Sequence, residues 1–261
     1  MRILVTNDDG INAPGLRVLA DIARSFTDDV WVVAPETNQS GASHSLTLHE
    51  PLRCEAVGDK RYAVRGTPTD CVIMGVRHLL LDNPPDLVLS GVNKGANLAD
   101  DVTYSGTIAG AIEGSLLGVR SIAMSLAYGF DEAGTIHWET PLAHGPAIIE
   151  RLLAEDWSPA VLMNINFPDR APDAVEGTMV TVQGKRDQNL LRIDERFDTW
   201  GAPYYWFGFE RKKSTPLEGT DLFAIYKGCI SITPLVPNLT HLPEMERSEE
   251  RRVGKECRSR W

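Results

Sequence analysis

The sequence has no apolar run approaching the roughly 18–20 residues needed to cross a bilayer. Its opening residues, MRILV, lead straight into a folded pattern and not a signal peptide, so a soluble cytoplasmic protein with no membrane partner is expected. Cysteine is scarce. Cys54, Cys71, Cys229 and Cys257 form no C-x-x-C pair, which excludes a zinc knuckle or disulfide framework and leaves buried free thiols as the reading. Positive charge is short as well: 26 Lys and Arg stand against 36 Asp and Glu, a net charge of −10. That balance argues against binding duplex nucleic acid or an anionic membrane, yet leaves room for a local site that takes a small phosphate ester. No H-E-x-x-H, no G-x-S-x-G elbow, no Walker lysine motif and no G-x-G-x-x-G after the first strand occurs, so zincin, triad-hydrolase, triphosphatase and dinucleotide chemistries lack their marks. Internal repeats and Gly/Ser linkers are missing too.

What is present is ample core material: 261 residues, 43% hydrophobic and only 24% charged, enough for one or two domains. The last fifteen residues, RSEERRVGKECRSRW (247–261), stand apart as a basic stretch without apolar periodicity. They back-translate in frame into a sequence resembling a common short-read sequencing adapter, and we set them aside as a read-through artefact. The remaining chain carries 20 basic and 33 acidic residues, a charge of −13.

Residues 1–246 read as one α/β domain. ILVTN (3–7) is a strand, LRVLADIARSF (16–26) a helix opened by Pro14-Gly15, and VWVVAP (30–35) a second strand, together a right-handed βαβ unit. One or two short strands follow in 46–66. TPTDCVIMGVRHLLL (67–81) is expected to be a helix capped by Thr67, with Asp70 completing the cap. DLVLS (86–90) is a strand that feeds the loop GVNKGANLADDVTYSG and the helix TIAGAIEGSLLGV; SIAMSLA (121–127), PLAHGPAIIERLLAE (141–155) and VLMNINF (161–167) continue the alternation. This rhythm predicts a Rossmann-like, doubly wound, mostly parallel sheet over 1–167. From about residue 168 to 246 the spacing favours strands without helices, at MVTVQ, WGAPYYWFGFE (200–210) and AIYKGCISITPL (224–235), hence a β-rich extension with a hairpin arm. Its aromatics, Trp200, Tyr204, Tyr205, Trp206 and Phe207, favour a dimer contact.

In open α/β sheets ligands bind beyond the C-terminal strand ends. Three loops qualify: Asn7-Asp8-Asp9-Gly10, Asn38 to Ser43, and Ser90 to Asn97. Two adjacent carboxylates ask for a cation, and carboxylate, hydroxyl and amide oxygens suit Mg²⁺ or Mn²⁺ and not zinc. On the residues alone, Asp8 or Asp9 could equally cap the next helix, Asn93 and Asn97 could be left-handed turn residues, and Ser40 a cap. Ser105-Gly106-Thr107 opens an apolar helix and can hold an anion at its N-terminus, or simply cap it. His44 reads as a surface histidine.

Taken in order, N-D-D-G, N-Q-S-G-A-S-H-S, G-T-P-T-D-C, S-G-V-N-x-G-x-N, D-D-V-x-Y-S-G-T and I-S-I-T-P-L form a set, and the chain resembles the SurE family of stationary-phase survival proteins, metal-dependent 5'/3'-nucleotidases, from Met1 to about Pro237. The resemblance implies hydrolysis of nucleoside monophosphates, with short polyphosphate as a further substrate, by a homodimer or homotetramer joined partly through C-terminal extensions. It implies one divalent ion per subunit held by Asp8, Asp9, Ser40 and Asn93, with Asp8 or Asp9 handling the attacking water, and Ser43, Asn97, Ser105, Gly106 and Thr107 near the phosphate. His44 stands where other members have asparagine and receives no role. The alternatives are a non-catalytic nucleotide-binding protein and a phospho-signalling module. The second is disfavoured because the chain is about twice the size of a receiver domain and lacks a clear acceptor Asp and partner Lys.

Overall fold

A computed structural model of the protein describes residues 1–129, 135–186, 191–209, 215–241 and 244–245. The adapter-like stretch 247–261, with Cys257, lies outside them. The chain alternates strand and helix through β1 (Ile3–Thr6), α1 (Pro14–Arg24), β2 (Val30–Pro35), β3 (Arg53–Gly58), β4 (Arg61–Arg65), α2 (Pro68–Met74), β5 (Leu87–Lys94), α3 (Gly106–Leu116), β6 (Arg120–Leu126), α4 (Glu139–Ala154) and β7 (Leu162–Phe167). After these come β8 (Gly177–Val180), β9 (Leu191–Phe197), β10 (Pro203–Phe209), α5 (Asp221–Lys227) and β11 (Cys229–Leu235). Nine strands form one sheet in the order β3-β4-β2-β1-β5-β6-β7-β11-β8, and β9 and β10 pair separately as an antiparallel hairpin.

The strands from β4 to β7 run parallel. Both faces of such a sheet must be covered, and the sequence supplies apolar residues at consecutive strand positions to do it. On one face Ile3 and Val5 pack with Leu16, Leu19 and Ile22 of α1 and Ile148 and Ile149 of α4. On the other, Leu4, Val33, Val64 and Val88 pack with Cys71 and Val72 of α2. The chain winds from β1 to β2 in one direction and returns to β5 on the opposite side of β1, so the order reverses between β1 and β5. Loops leaving those two strands diverge and leave a crevice there.

Three expectations are revised. The helix expected over 67–81 is α-helical only to Met74 and widens to a π-helical turn at Gly75–Leu79, while Thr67 and Asp70 do form the reciprocal cap. The strand at 86–90 continues to Lys94 with an irregularity between Gly91 and Asn93, which puts Asn93 in the strand's bulged end. In the C-terminal third, AIYK belongs to α5, capped by Thr220 and ended by left-handed Gly228, and not to a strand. Strands β8 and β11 extend the main sheet, β11 antiparallel to β7. Of the cysteines described, all free, Cys71 is buried while Cys54 and Cys229 are half-buried.

One close approach sets the stacking of α1. A methyl group built on Gly15 would run into the Val92 carbonyl oxygen and lie 3.0 Å from the Trp138 ring. Gly15→Ala is expected to lower the unfolding free energy by about 1–3 kcal/mol, as overpacking does. Gly58→Ala, whose added carbon would sit 3.6 Å from Arg61 Cβ, should change it far less. Urea denaturation of both variants tests this, and equal effects would mean that α1 shifts freely.

Candidate functional site

Strand β1 ends at Thr6, and the chain turns at once through Asn7, whose amide donates to the Gly10 carbonyl at 3.1 Å while its oxygen accepts from the Gly10 N–H. This tight turn points Asp8 under the N-terminus of α3. Asp8 is only 4% exposed. Its Oδ1 accepts from the Thr107 hydroxyl at 2.5 Å, and a methyl on Gly106 would fall 2.7 Å from its Cβ. Only glycine at the first helical position admits the carboxylate. Asp9 accepts from the Lys94 backbone N–H at 3.3 Å, which ties the loop after β1 to the end of β5.

Neither acid caps α1: the residue at that helix's cap is Ala13, with no side-chain bond. Burial instead lifts the Asp8 carboxyl to about 6, opposed by the Thr107 hydrogen bond and reinforced by the charge of Asp9. Burial raises Asp9 too, against the backbone N–H and ammonium of Lys94.

The loops carrying Ser40, Ser43 and Asn93 are bonded to this pair or to the segment just ahead of α3. Asn93 donates its amide to the Gly95 carbonyl at 2.9 Å, which leaves its side-chain oxygen without a partner among the described residues. Asn93 is not left-handed; Gly91 and Gly95 take that conformation beside it. Ser40 is exposed, with its N–H held by Asn38 Oδ1 at 2.7 Å and its hydroxyl unengaged among the described residues. The loop that carries it is fastened to Asp8, whose carbonyl accepts from the Gln39 N–H at 2.7 Å. Ser43 donates to the Thr103 carbonyl at 2.7 Å. Ser105 caps α3, accepting from the Ile108 N–H at 3.0 Å, so its hydroxyl serves the helix as well. The N-terminus of α3 at Gly106 and Thr107 adjoins Asp8.

Asn97 sits differently. It is buried, donates to the Ser125 hydroxyl at 2.8 Å, and its backbone is gripped by Asn164 and Asn166. Those two asparagines went unread in the sequence, although amides at alternate positions of the apolar strand VLMNINF were their signal. Lys94 was missed as well, the one cation in the three loops. A third omission is Glu113 on α3, whose carboxylate meets His44 Nε2 at 2.9 Å.

Two carboxylates raised by burial, an amide oxygen fixed by its own N–H₂ group, and a spare hydroxyl make an oxygen-only donor set that fits a hard divalent cation. Among the described residues there is no group of three or more His, Cys, Asp or Glu that could hold a metal ion. No helix among them is long and apolar enough to cross a membrane.

Fold and site together define a doubly wound α/β protein with a carboxylate-bearing, oxygen-rich crevice where its sheet reverses. The family model of the survival protein SurE matches residues 3–190. The chain is 58% identical over 247 residues to the 5'-nucleotidase SurE of Methylorubrum extorquens (strain PA1), covering 95% of this chain and 97% of that protein. It is 60% identical over 237 residues to the 5'-nucleotidase SurE of Rhodopseudomonas palustris (strain BisB18), covering 90% and 93%. A crystal structure of the SurE protein from Aquifex aeolicus superposes with a TM-score of 0.82 at 40% identity, over 95% of this chain and 98% of that one. The chain belongs to the SurE family.

Removing the Thr107 hydroxyl takes away a hydrogen bond to the charged form of Asp8. Thr107→Val is therefore expected to raise the Asp8 pKa further above its ordinary value. A carboxyl ¹³C titration of the metal-free protein measures it, and an unmoved midpoint would mean that the hydroxyl does not hold the charge.

Proposed function

We propose that the chain is a 5'-nucleotidase, a phosphoric monoester hydrolase that splits nucleoside 5'-monophosphates into nucleoside and phosphate. One observation carries the reading: a buried carboxylate, Asp8, lies against the N-terminus of an eleven-residue helix beside a second carboxylate, at the sheet's turning point. A helix start attracts phosphate through its free N–H groups and dipole, and an adjoining acid pair calls for a cation between itself and that phosphate. The names of the relatives at 58–60% identity support the same chemistry.

We assign one divalent ion, Mg²⁺ or Mn²⁺, to Asp8, Asp9, Ser40 and Asn93. When bound, such an ion polarises the phosphoryl oxygens and lowers the pKa of a water. The protein's own groups do the rest. The backbone N–H of Gly106, at the open start of the helix, binds a phosphoryl oxygen and stabilises charge that develops on it, while the Thr107 N–H is given to Asp8. Thr107 holds Asp8 in place, and the half-buried Asp9 is the more accessible of the pair to orient the attacking water and take its proton. The water oxygen bonds to phosphorus as the bond to the nucleoside oxygen breaks, and that oxygen leaves with a proton from solvent. Ser43 and Ser105 border the phosphate pocket, and Asn97 holds its floor through Ser125, Asn164 and Asn166. Hydrolysis of 3'-monophosphates and of short polyphosphate belongs to the same proposal, since the groups assigned here contact the phosphate and not the base.

The assembly is proposed as a homodimer or homotetramer acting in the cytoplasm. The hairpin of β9 and β10 supports it: Trp200 at its tip is 90% exposed, and Tyr205, Trp206 and Phe207 are exposed along β10. So large an apolar surface on a soluble protein is normally covered by a partner. Trp206→Glu with Phe207→Glu is expected to reduce the mass seen by light scattering. An unchanged mass would place the interface elsewhere.

Phosphate release from a panel of nucleoside 5'- and 3'-monophosphates, using chelator-treated protein with and without Mn²⁺ or Mg²⁺, tests the activity. Release is expected only with metal, and Asp8→Asn and Asp9→Asn are expected to lose at least ~100-fold in kcat. Near wild-type turnover of either variant at saturating Mn²⁺ would remove that residue from the mechanism. A phosphorylated Asp8 or Asp9 peptide trapped by rapid quench would replace direct water attack with a covalent route.

A further inference from the structure

The loop 36–47, which carries Ser40 and Ser43, is fastened at several points. Gln39 N–H reaches the Asp8 carbonyl, and the Ser43 hydroxyl reaches the Thr103 carbonyl. The Ser45 carbonyl accepts from Thr67 Oγ1 at 2.7 Å, and Thr47 donates to Asp70 through its N–H at 3.1 Å and its hydroxyl at 2.6 Å. The remaining anchor involves His44, whose Nε2 lies 2.9 Å from Glu113 Oε2. Glu113 is buried on α3, seven residues beyond Gly106 and so about 10 Å further along the helix. His44 is the only hydrogen-bond partner of its carboxylate among the described residues. A buried carboxylate without a donor is costly, so each member of the pair fixes the other.

The geometry has a specific consequence. Ser43, in a left-handed conformation at φ 54°, is tied just ahead of the α3 N-terminus, while the next residue is tied two turns further down the same helix. Consecutive Cα atoms are only 3.8 Å apart, so the imidazole must supply the reach. The loop is thereby laid along α3, with Gln39 bonded to the Asp8 carbonyl and Ser43 to the Thr103 carbonyl ahead of the helix.

We propose that His44 is a positioning residue of this site: its bond to Glu113 clamps the Ser40–Ser43 segment against α3, and that segment meets cation and phosphate in register only while the clamp is closed. This rests on the nucleotidase reading and adds to it a residue that acts through the loop and not on the reacting atoms. A glutamine places its amide nitrogen where the imidazole has Nε2; an asparagine reaches only as far as Nδ1. His44→Gln therefore keeps the clamp and His44→Asn breaks it.

The test uses the full chain and four variants, His44→Ala, His44→Asn, His44→Gln and Glu113→Ala, with the double variant His44→Ala/Glu113→Ala. Three quantities are read: kcat and KM for a nucleoside monophosphate with Mn²⁺, Mn²⁺ affinity of the substrate-free protein by electron paramagnetic resonance, and amide hydrogen exchange of residues 38–48. His44→Ala, His44→Asn and Glu113→Ala are expected to raise KM about tenfold with kcat changed far less, to weaken Mn²⁺ binding several-fold and to speed exchange in the loop. The double variant should be no worse than either single one, as for two members of one interaction. His44→Gln should return all three readings close to wild type, a rescue that a purely structural role in the fold would not single out. Unchanged KM and exchange in His44→Ala, additive effects in the double variant, or His44→Gln no better than His44→Asn would each overturn the proposal. Should the wild-type chain release no phosphate, the nucleotidase reading fails by itself, while Mn²⁺ affinity and loop exchange in the same variants still decide the clamp.

Discussion

A carboxylate withdrawn from water is among the most unfavourable things a fold can contain, and the arrangement around Asp8 follows from that cost. The group is nearly inaccessible, and it stands next to a second acid. What stabilises it is the start of α3: the Thr107 hydroxyl, the backbone at the helix N-terminus and the positive end of the helix dipole. Those donors are useful only if the helix comes very close. Glycines at 106, 110 and 114, four residues apart, present a side-chain-free stripe to the sheet, and methyl groups there would strike Asp8, Ser90 and Ser121 in turn. The spacing that lets the helix lie on the strands is the same spacing that delivers its N-terminus to the acid.

The crevice itself comes from topology. Between β1 and β5 the winding reverses, and the loops leaving those strands carry Asp8, Asp9 and Asn93 at that switch point. The loop from β2 joins them because it is bonded to the Asp8 backbone, and residues distant in sequence are brought together by short links: Gln39 to Asp8, Lys94 to Asp9, Thr107 to Asp8. Beneath them Asn97, Ser125, Asn164 and Asn166 form a polar floor in the middle of an apolar sheet, with each amide engaged. Such a network resists sliding of β5, β6 and β7 past one another, because any slip would leave buried amides unpaired.

Much of this could be read in the sequence where the physics is local. Alternation of apolar strands with amphipathic helices gave the doubly wound order, and the Thr67–Asp70 cap was legible from four residues because a capping box is local chemistry. The acids after β1 could be singled out because the C-terminal ends of parallel strands lie along one edge of the sheet, where ligands bind. What stayed hidden depends on contacts made across the chain. AIYK is too short and too apolar to tell helix from strand by periodicity, and only a helix capped by Thr220 and closed by Gly228 satisfies its backbone. The engagement of Asn97 with β6 and β7 could not be inferred from spacing. His44 is exposed, as a surface histidine should be, but its bond to Glu113 could not be read because that partner lies 69 positions away on a helix whose other residues are mostly small or apolar.

The placement of β11 gives the molecule a built-in order of completion. This strand, the last in sequence of the described strands, is the last but one across the sheet, lying between β7 and β8. Every element that contributes to the crevice and to the polar floor beneath it is encoded by residue 167, so the site can take shape on a growing chain whose sheet still ends in a bare β7 edge. During that interval β7 offers unpaired backbone along an apolar strand, the feature that most readily recruits a foreign strand. Synthesis of residues 229–235 closes that edge, which makes β11 a cover for the sheet during biogenesis as much as a part of the finished architecture.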